Sequence, residues 1–563
     1  MASPRVNVDV LTVACECLTD VSDVLSLSLT CSSVRLIAVK WLIRMRPVYL
    51  KSGLSIRSFH LFFFADPAER ASHLRALHID LSRAWPGQPQ VDVDDYSLLV
   101  KILASCQHLQ HLTITLQTAS LPTIDNFFHA TTTLSSLHSF SIRGVSIDAL
   151  KFLPQFHTPL RALGIHSENI PVGSRYPTVL EEFIPRIIVQ TLEELQLDKL
   201  EFDPHDILIQ VPGNSLMPSV LDVMPYSAVR SLSVASFRGK PLLDRLQYLF
   251  PALDSTLHFG GLDMWSVQDS YADLRAANQR SQDGPCSGAW KKLDQVVCGP
   301  AALYVLGLRC PIRLAIIHIH RGSVDQYHYA AEALRENPVP RLQLMLYHGP
   351  GMLDRLFSPE QAERLTHFML CLSYGDNYES SPQGQRDADV EDTPQVQWDD
   401  VLSNLISGLQ PLHKLTHLRI IIGANIYVHK DAPSPFRPRE GRYAHPFRPS
   451  MSDFEETATA LARILPSLQN LFLTTSGFLS SWAARSTDGG RDWQPYESYI
   501  NHGWRIAALG TDGLPDGERS VVELHEEVTN TIIRKEELVL SERDEAALHL
   551  NYGWHTSPPT LLM

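Results

Sequence analysis

The sequence predicts an α/β chain: a solenoid of short strand–helix units behind three short N-terminal helices, with loop insertions. Three observations carry this. The spacing leucine (or valine), two residues, leucine, one residue, aliphatic recurs nine times, with small variations, between Leu74 and Leu473. Between the recurrences lie segments with apolar residues at helical spacing, as at 96–105 and 457–465. Strand, helix, strand at a period of about 25 to 40 residues describes units that bury a core only against their neighbours.

The first forty-odd residues read as helices and little else. Leu11, Ala14, Cys15 and Leu18 fall at i, i+3, i+4 and i+7, one face of a first helix. Asp23 is placed to cap a second, whose Val24, Leu25, Leu27 and Leu29 make it apolar on nearly every side. Val34, Ile37, Ala38 and Trp41 stripe a third, with Arg35 and Lys40 off the stripe. Three helices this short bury no self-sufficient core, so a partner or the rest of the chain must cover part of that surface.

These residues resemble the F-box in its fungal form. Val6 stands at the family's leading leucine, Asp9 at its acid, and Leu18 and Asp20 at its L-x-D; Asp23 to Cys31 match its D-L-L-x-L-S-L-T-C block closely. Asn7 replaces the usual proline, and Ala14 and Cys15 replace larger aliphatics, which weakens the first helix's grip on a partner. The resemblance covers about a tenth of the chain. It implies that residues 1–46 dock on the Skp adaptor of an SCF-type cullin-RING ubiquitin ligase and leave substrate choice to the remainder of the chain. The apolar residues expected to touch the adaptor are Val6, Val10, Leu11, Leu18, Leu25 and Leu29.

Next, 46–50 is expected to be extended, because a residue before proline avoids the helical region and Val48 and Tyr49 favour strands. A helix is expected over 55–65. The signature then appears as Leu74-x-x-Leu77-x-Ile79, Leu109-x-x-Leu112-x-Ile114, Leu134 and Leu137 leading into Phe140 and Ile142, Leu160-x-x-Leu163-x-Ile165 and Leu192-x-x-Leu195-x-Leu197. Weaker copies begin at Val229, Val339, Leu415 and Leu468. Together they resemble irregular leucine-rich repeats spanning 47–480. The aliphatics of each strand point into the core, so the residues between them face out on the sheet side, the usual binding side of a solenoid. The candidate substrate-binding residues are therefore Arg143, His166, Glu194, Gln196 and Asp198, with Arg143, His166 and Glu194 expected as neighbours.

The register lapses in three places, read as loop insertions: about 260–299, the acidic 374–400, and the basic, proline-rich 430–450. Residues 481–563 change character, with Trp482 and Trp493 among Gly, Asp and Ser, short strands at 504–508 and 521–524, and a charged helical pattern from Asn530 to Leu548. This part is expected to cap the open end of the array.

A formal net charge of −14 argues against wrapping nucleic acid, which needs a cationic surface to displace counterions. Eight scattered cysteines form no paired framework, there is no secretory h-region, and no apolar run approaches membrane-spanning length. The chain is expected to be soluble and cytoplasmic or nuclear, without membrane association or cofactor. No phosphate loop, nucleophile elbow or H-E-x-x-H is present, so no enzyme is expected. Two other readings stand beside the ligase subunit. One is a repeat scaffold for protein binding without ligase linkage. The remote one is a metal hydrolase using His318 and His320, which a strand would place on one side, although an exposed strand face explains them as well.

Overall fold

The computed structural model describes residues 7–18, 20–30, 32–81, 91–116, 124–145, 147–167, 184–198, 224–235, 241–260, 271–283, 289–319, 324–347, 353–375, 398–428, 451–481, 496–508, 519–541 and 545. Residues Met1–Pro241 with Arg245–Leu253 form one compact unit, and Leu242–Asp244 with Asp254–Met563 a second. That division falls inside the span that reads in sequence as one array, 47–480.

The first unit opens with α1 (Val8–Cys17), α2 (Val21–Ser28) and α3 (Ser32–Met45). Asn7, the departure from the F-box proline, is the N-cap of α1: its side chain accepts from the Asp9 amide at 2.9 Å. Asp20, not Asp23, caps α2, accepting from the Ser22 amide at 2.7 Å. Asp23 already lies within the first turn, where a carboxylate favours the helix dipole but closes no cap. Cys15, Val24, Ile37 and Ala38 form a small buried cluster, with Leu11, Leu18, Leu27 and Trp41 packed around it.

Strands β1 (Val48–Leu50), β2 (Ala76–Asp80), β3 (His111–Thr115), β4 (Ser139–Val145), β5 (Ala162–Ser167), β6 (Glu194–Asp198) and β7 (Ser231–Val234) come next, each parallel to the one before. The leucine signature sets their register. Leu77, Leu112, Phe140, Leu163, Leu195 and Leu232 are successive partners, as are Ile79, Ile114, Ile142, Ile165, Leu197 and Val234. All are buried. The leading residues Leu74, Leu109, Leu160, Leu192 and Val229 are buried beneath the strand entrances. At each of these entrances one carbonyl accepts from two amides of the next unit: Arg75 O from Gln110 and His111 at 2.8 and 2.9 Å, then Gln110 O, His138 O, Arg161 O and Glu193 O in the same way.

Helices α4 (Gly53–Phe64), α5 (Pro67–His73) and α6 (Val93–Ser105) lie between the early strands. Asp95 binds α6 to α4. Its fully buried carboxylate completes a capping box with Asp92 and accepts from Arg57 Nε at 2.6 Å.

In the second unit, β8 (Thr256–Phe259), β9 (Leu293–Cys298), β10 (Ile312–Ile319), β11 (Arg341–Tyr347), β12 (His367–Gly375), β13 (His417–Val428) and β14 (Asn470–Ser481) again run parallel in chain order. Strands β15 (Tyr496–Ala508) and β16 (Arg519–Leu524) add antiparallel at the edge. The span 260–299 is therefore not wholly an insertion: it holds helix Tyr271–Gln282 and β9. Buried Asn278 holds that helix, accepting from the Leu243 amide at 2.9 Å and donating to Val305 O at 2.8 Å. Of the other two insertions, 376–397 and 430–450 lie outside the described residues, as do Trp482 and Trp493.

The C-terminal helix covers Glu526–Lys535, shorter than the span 530–548 expected from sequence. It ends at Lys535 with Glu536 as its C-cap; the next residue, Glu537, has φ +54°, and the chain then crosses the face of the sheet. Gly503 on β15 makes room for it: a Cβ there would lie 2.5 Å from Thr529 Oγ1 and 3.0 Å from a Phe472 ring carbon.

Replacing Asp95 by alanine removes one half of the capping box and the buried one of the two carboxylates that Arg57 meets, leaving the half-exposed guanidinium to Asp92 and water. The expected loss is about 2 kcal/mol, read as a lower urea midpoint for the full chain against the parent.

Candidate functional site

In-register parallel strands align the residues between core positions into rows across the sheet. In the first unit His111, Ser139, Ala162, Glu194 and Ser231 form one row, Thr113, Ser141, Gly164, Gln196 and Ser233 the next, and Thr115, Arg143, His166 and Asp198 a third. Arg143, His166 and Asp198 are thus brought side by side, with Gln196 one row away. Glu194 is not their neighbour: it pairs with Ala162, two rows from His166, or roughly 13 Å along the strand direction from Asp198. A one-residue alternation hides this in sequence, because Glu194 and Asp198 share a face without sharing a row.

The face is partly withdrawn from water. Arg143 and Glu194 are half-buried and His166 is buried. Gly164 permits that packing, since a Cβ there would lie 2.9 Å from Ser141 Oγ and 3.6 Å from His166 Nε2. Burial pushes the Glu194 carboxyl above the usual range, and Glu193 adds to the push. Burial likewise pushes His78 and His111 below the ordinary histidine value, with Arg143 contributing at His78.

Of the residues expected to touch an adaptor, Val10, Leu25 and Leu29 are exposed, Leu29 at 82%. Leu11 and Leu18 instead pack on the inner cluster, and Val6 lies outside the described residues. Val13 and Leu36 are exposed as well, and helical spacing alone does not single them out.

The corresponding face of the second unit differs. Met345, Met369, Cys371, Ile421 and Phe472 occupy the outward positions of β11–β14 and are buried under Ile533, Leu538 and Leu540 of the C-terminal segment. The signal is present in the sequence: Leu342-Gln-Leu-Met-Leu346 and Phe368-Met-Leu-Cys-Leu372 are nearly continuous apolar runs, the mark of a strand buried on both faces.

Beside this apolar patch, His367 and His417 are register partners whose rings stack at 4.5 Å. His417 Nε2 accepts from Asn470 Nδ2 at 3.0 Å, so its Nδ1 carries the proton and donates to Thr416 Oγ1 at 2.9 Å. His367 Nε2 donates to Glu536 Oε2 at 3.2 Å, and its Nδ1 faces Thr366 Oγ1 at 2.9 Å. Among the described residues these two histidines and Glu536 are the one group able to gather round a metal ion. Each ring nitrogen already has a hydrogen-bond partner, and Arg341 Nη2 stands 3.8 Å from the same carboxylate. The arrangement is a polar latch holding the C-terminal segment to the sheet. Of the histidine pair that the sequence suggests as metal ligands, His318 lies on β10 and His320 outside the described residues.

The sequence matches no protein-family model and no curated protein. Among solved structures it is similar to the crystal structure of a TLR13–ssRNA13 complex, at 10% identity and a TM-score of 0.26, over 72% of this chain. The match spans 56% of that chain, under two thirds of its length. The fold assignment rests on this chain's own topology. Among the described residues no helix is long and apolar enough to cross a membrane.

Burial lowers the affinity of both latch histidines for protons, His417 to about 4, with Arg341 opposing the charge further. Burial, the largest single influence on Glu536, pushes its carboxyl up, but the His367 hydrogen bond and the charges of His417, His367 and Arg341 together hold it below the usual carboxylate range. Above pH about 6.5 the histidines are neutral in both folded and unfolded chains and the latch is at full strength. As pH falls from there through about 4 the unfolded chain takes up protons first, so stability declines. Below the ordinary Glu value, protonation of Glu536 acts in the same direction. The melting temperature is expected to fall over this interval, and to fall less in His417→Gln.

Proposed function

We propose that this chain is the substrate-recognition subunit of an SCF-type cullin-RING ubiquitin ligase. In this reading the N-terminal helices hold a Skp adaptor and the strand–helix array holds a protein substrate. The chain does no chemistry itself, needs no cofactor, and works in the cytoplasm or nucleus. The observation that carries the reading is the exposure of Val10, Leu25 and Leu29 on helices whose own small cluster is already filled. Apolar side chains left in water beside a completed cluster favour a partner, and Leu25 and Leu29 lie in the stretch that resembles the F-box pattern. Burial of one such leucine is worth about 1.5 to 3 kcal/mol.

The array supports the second half of the reading. It sets rows of outward residues on successive parallel strands, an arrangement suited to an extended protein surface. Arg143, His166, Gln196 and Asp198 are the proposed centre of that surface, with Glu194 at its margin.

Leu25→Asp with Leu29→Asp tests the adaptor side. Both positions are exposed, so the melting temperature should hold, while co-purified Skp adaptor should fall at least about tenfold for two lost apolar contacts. Leu11→Asp would not discriminate, because Leu11 packs on the inner cluster. Full adaptor recovery with the doubly charged variant would leave a protein-binding array without ligase linkage.

A further inference from the structure

The C-terminal segment is held to the second unit's sheet in the manner of a bound peptide. Where the helix ends, four successive carbonyls are read by sheet side chains. Arg341 Nη1 donates to Glu536 O at 2.8 Å, and Gln343 Nε2 to Glu537 O and Val539 O at 3.2 and 3.3 Å. Arg419 Nη1 donates to Leu538 O at 2.7 Å. Carboxylates supply the charge: Glu536 meets His367, Glu537 meets Arg341 at 3.3 Å and also Arg313, and Glu545 meets both terminal nitrogens of Arg419. Leu538 and Leu540 enter the apolar patch of Met345, Met369, Ile421 and Phe472.

The division of labour resembles an interface. The array contributes donors and cations, and the segment contributes acceptors, acids and two leucines. Arg419 makes the point most sharply. Its side chain is 1% exposed, and its anchors Glu545 and Leu538 O both come from the segment. An array that left this guanidinium without a carboxylate would bury an uncompensated charge, so any occupant of the face must bring one. Main-chain carbonyls captured by side chains give affinity independent of sequence, and the acids and leucines give selectivity.

We propose that the outward face of β10–β14 is a binding site for acidic–apolar peptide segments that leave a helix through a left-handed turn, with two adjacent acids in the turn, leucines one and three positions on, and a further acid. The chain's own residues 536–540, with Glu545, fill it as an intramolecular competitor. This deepens the reading of the array as a protein-binding surface and is independent of adaptor docking. The tether gives the resident segment a high effective concentration, so a peptide in solution binds only when that segment is weakened.

The probe is a fluorescent peptide with the sequence of residues 534–546, offered to the full chain. The parent should bind it weakly. A full-length Glu536→Lys, Glu537→Lys, Leu538→Ser variant should bind it at least about tenfold more tightly. Adding Arg313→Glu and Arg341→Glu should abolish that gain, and a peptide with lysines for its paired acids should recover it. A folded variant that shows no gain, or that binds both peptides alike, overturns the proposal. Should the weakened variant fail to fold, hydrogen exchange on the parent decides. Amides of 538–541 opening at least about tenfold faster than those of β12 and β13 supports a displaceable occupant; equal rates make it a fixed part of the core and overturn the proposal. Loss of peptide binding with client capture intact would reject this inference alone.

Discussion

Strand entrances along the array are fixed by single backbone carbonyls, each accepting from two amides of the next unit. Arg75, Gln110, His138, Arg161 and Glu193 do this in the first unit, and Pro340, Thr366 and Thr416 in the second. The bonds sit where a chain passing from loop to strand would otherwise leave buried amides unpaired, so slippage would strand two donors at each such step. Register is the consequence. With the entrance fixed, Leu77 must lie beside Leu112 and Ile79 beside Ile114, and the leucine signature becomes a continuous ladder. A one-residue slip would turn the whole apolar set of a strand outward.

What differs between the two units is the other face. In the first, short polar or small residues such as His78, Thr113, Ser141 and Gln196 alternate with the ladder. In the second, Met345, Met369, Cys371, Ile421 and Phe472 stand at the equivalent positions, and the chain's own C-terminal segment covers them. Surface chemistry on the two faces is therefore set by the same period-two alternation, with different residues in the outward slots. The cationic and donor groups around the second patch explain why the segment that covers it is acidic.

The ladder is legible in sequence because its signal is a fixed spacing of aliphatics. β12 escapes because its signature is Leu365-x-x-Phe368-x-Leu370, with an aromatic in the second slot and none of the extra leucine spacing, Leu134-x-x-Leu137, that announces Phe140 on β4, although Phe368 is fully buried as a leucine would be. Helix Tyr271–Gln282 escapes for a different reason: buried Asn278 and Arg275 fill positions there that periodicity assigns to apolar residues. The α2 cap lies three residues before the position that the sequence suggests, since Asp20 and Asp23 both precede apolar residues and only backbone geometry separates them. The C-terminal segment reads as a longer helix because Glu, Lys and Leu favour one; side chains from β11–β13 hold residues 536–539 off that path. Of the candidate site, the residues on the face are legible and their rows are not, because rows depend on pairing between strands far apart in sequence.

The register ladder is tested most directly by a distance measured along one row. His111 and Ser231 are separated by four strand steps, through Ser139, Ala162 and Glu194. Spin labels attached there through non-native side chains, in the full chain, should report a single narrow distribution centred on a backbone separation of about 19 Å, four interstrand spacings. A broad distribution, or one centred beyond about 30 Å, would contradict consecutive in-register pairing at spacings of this size.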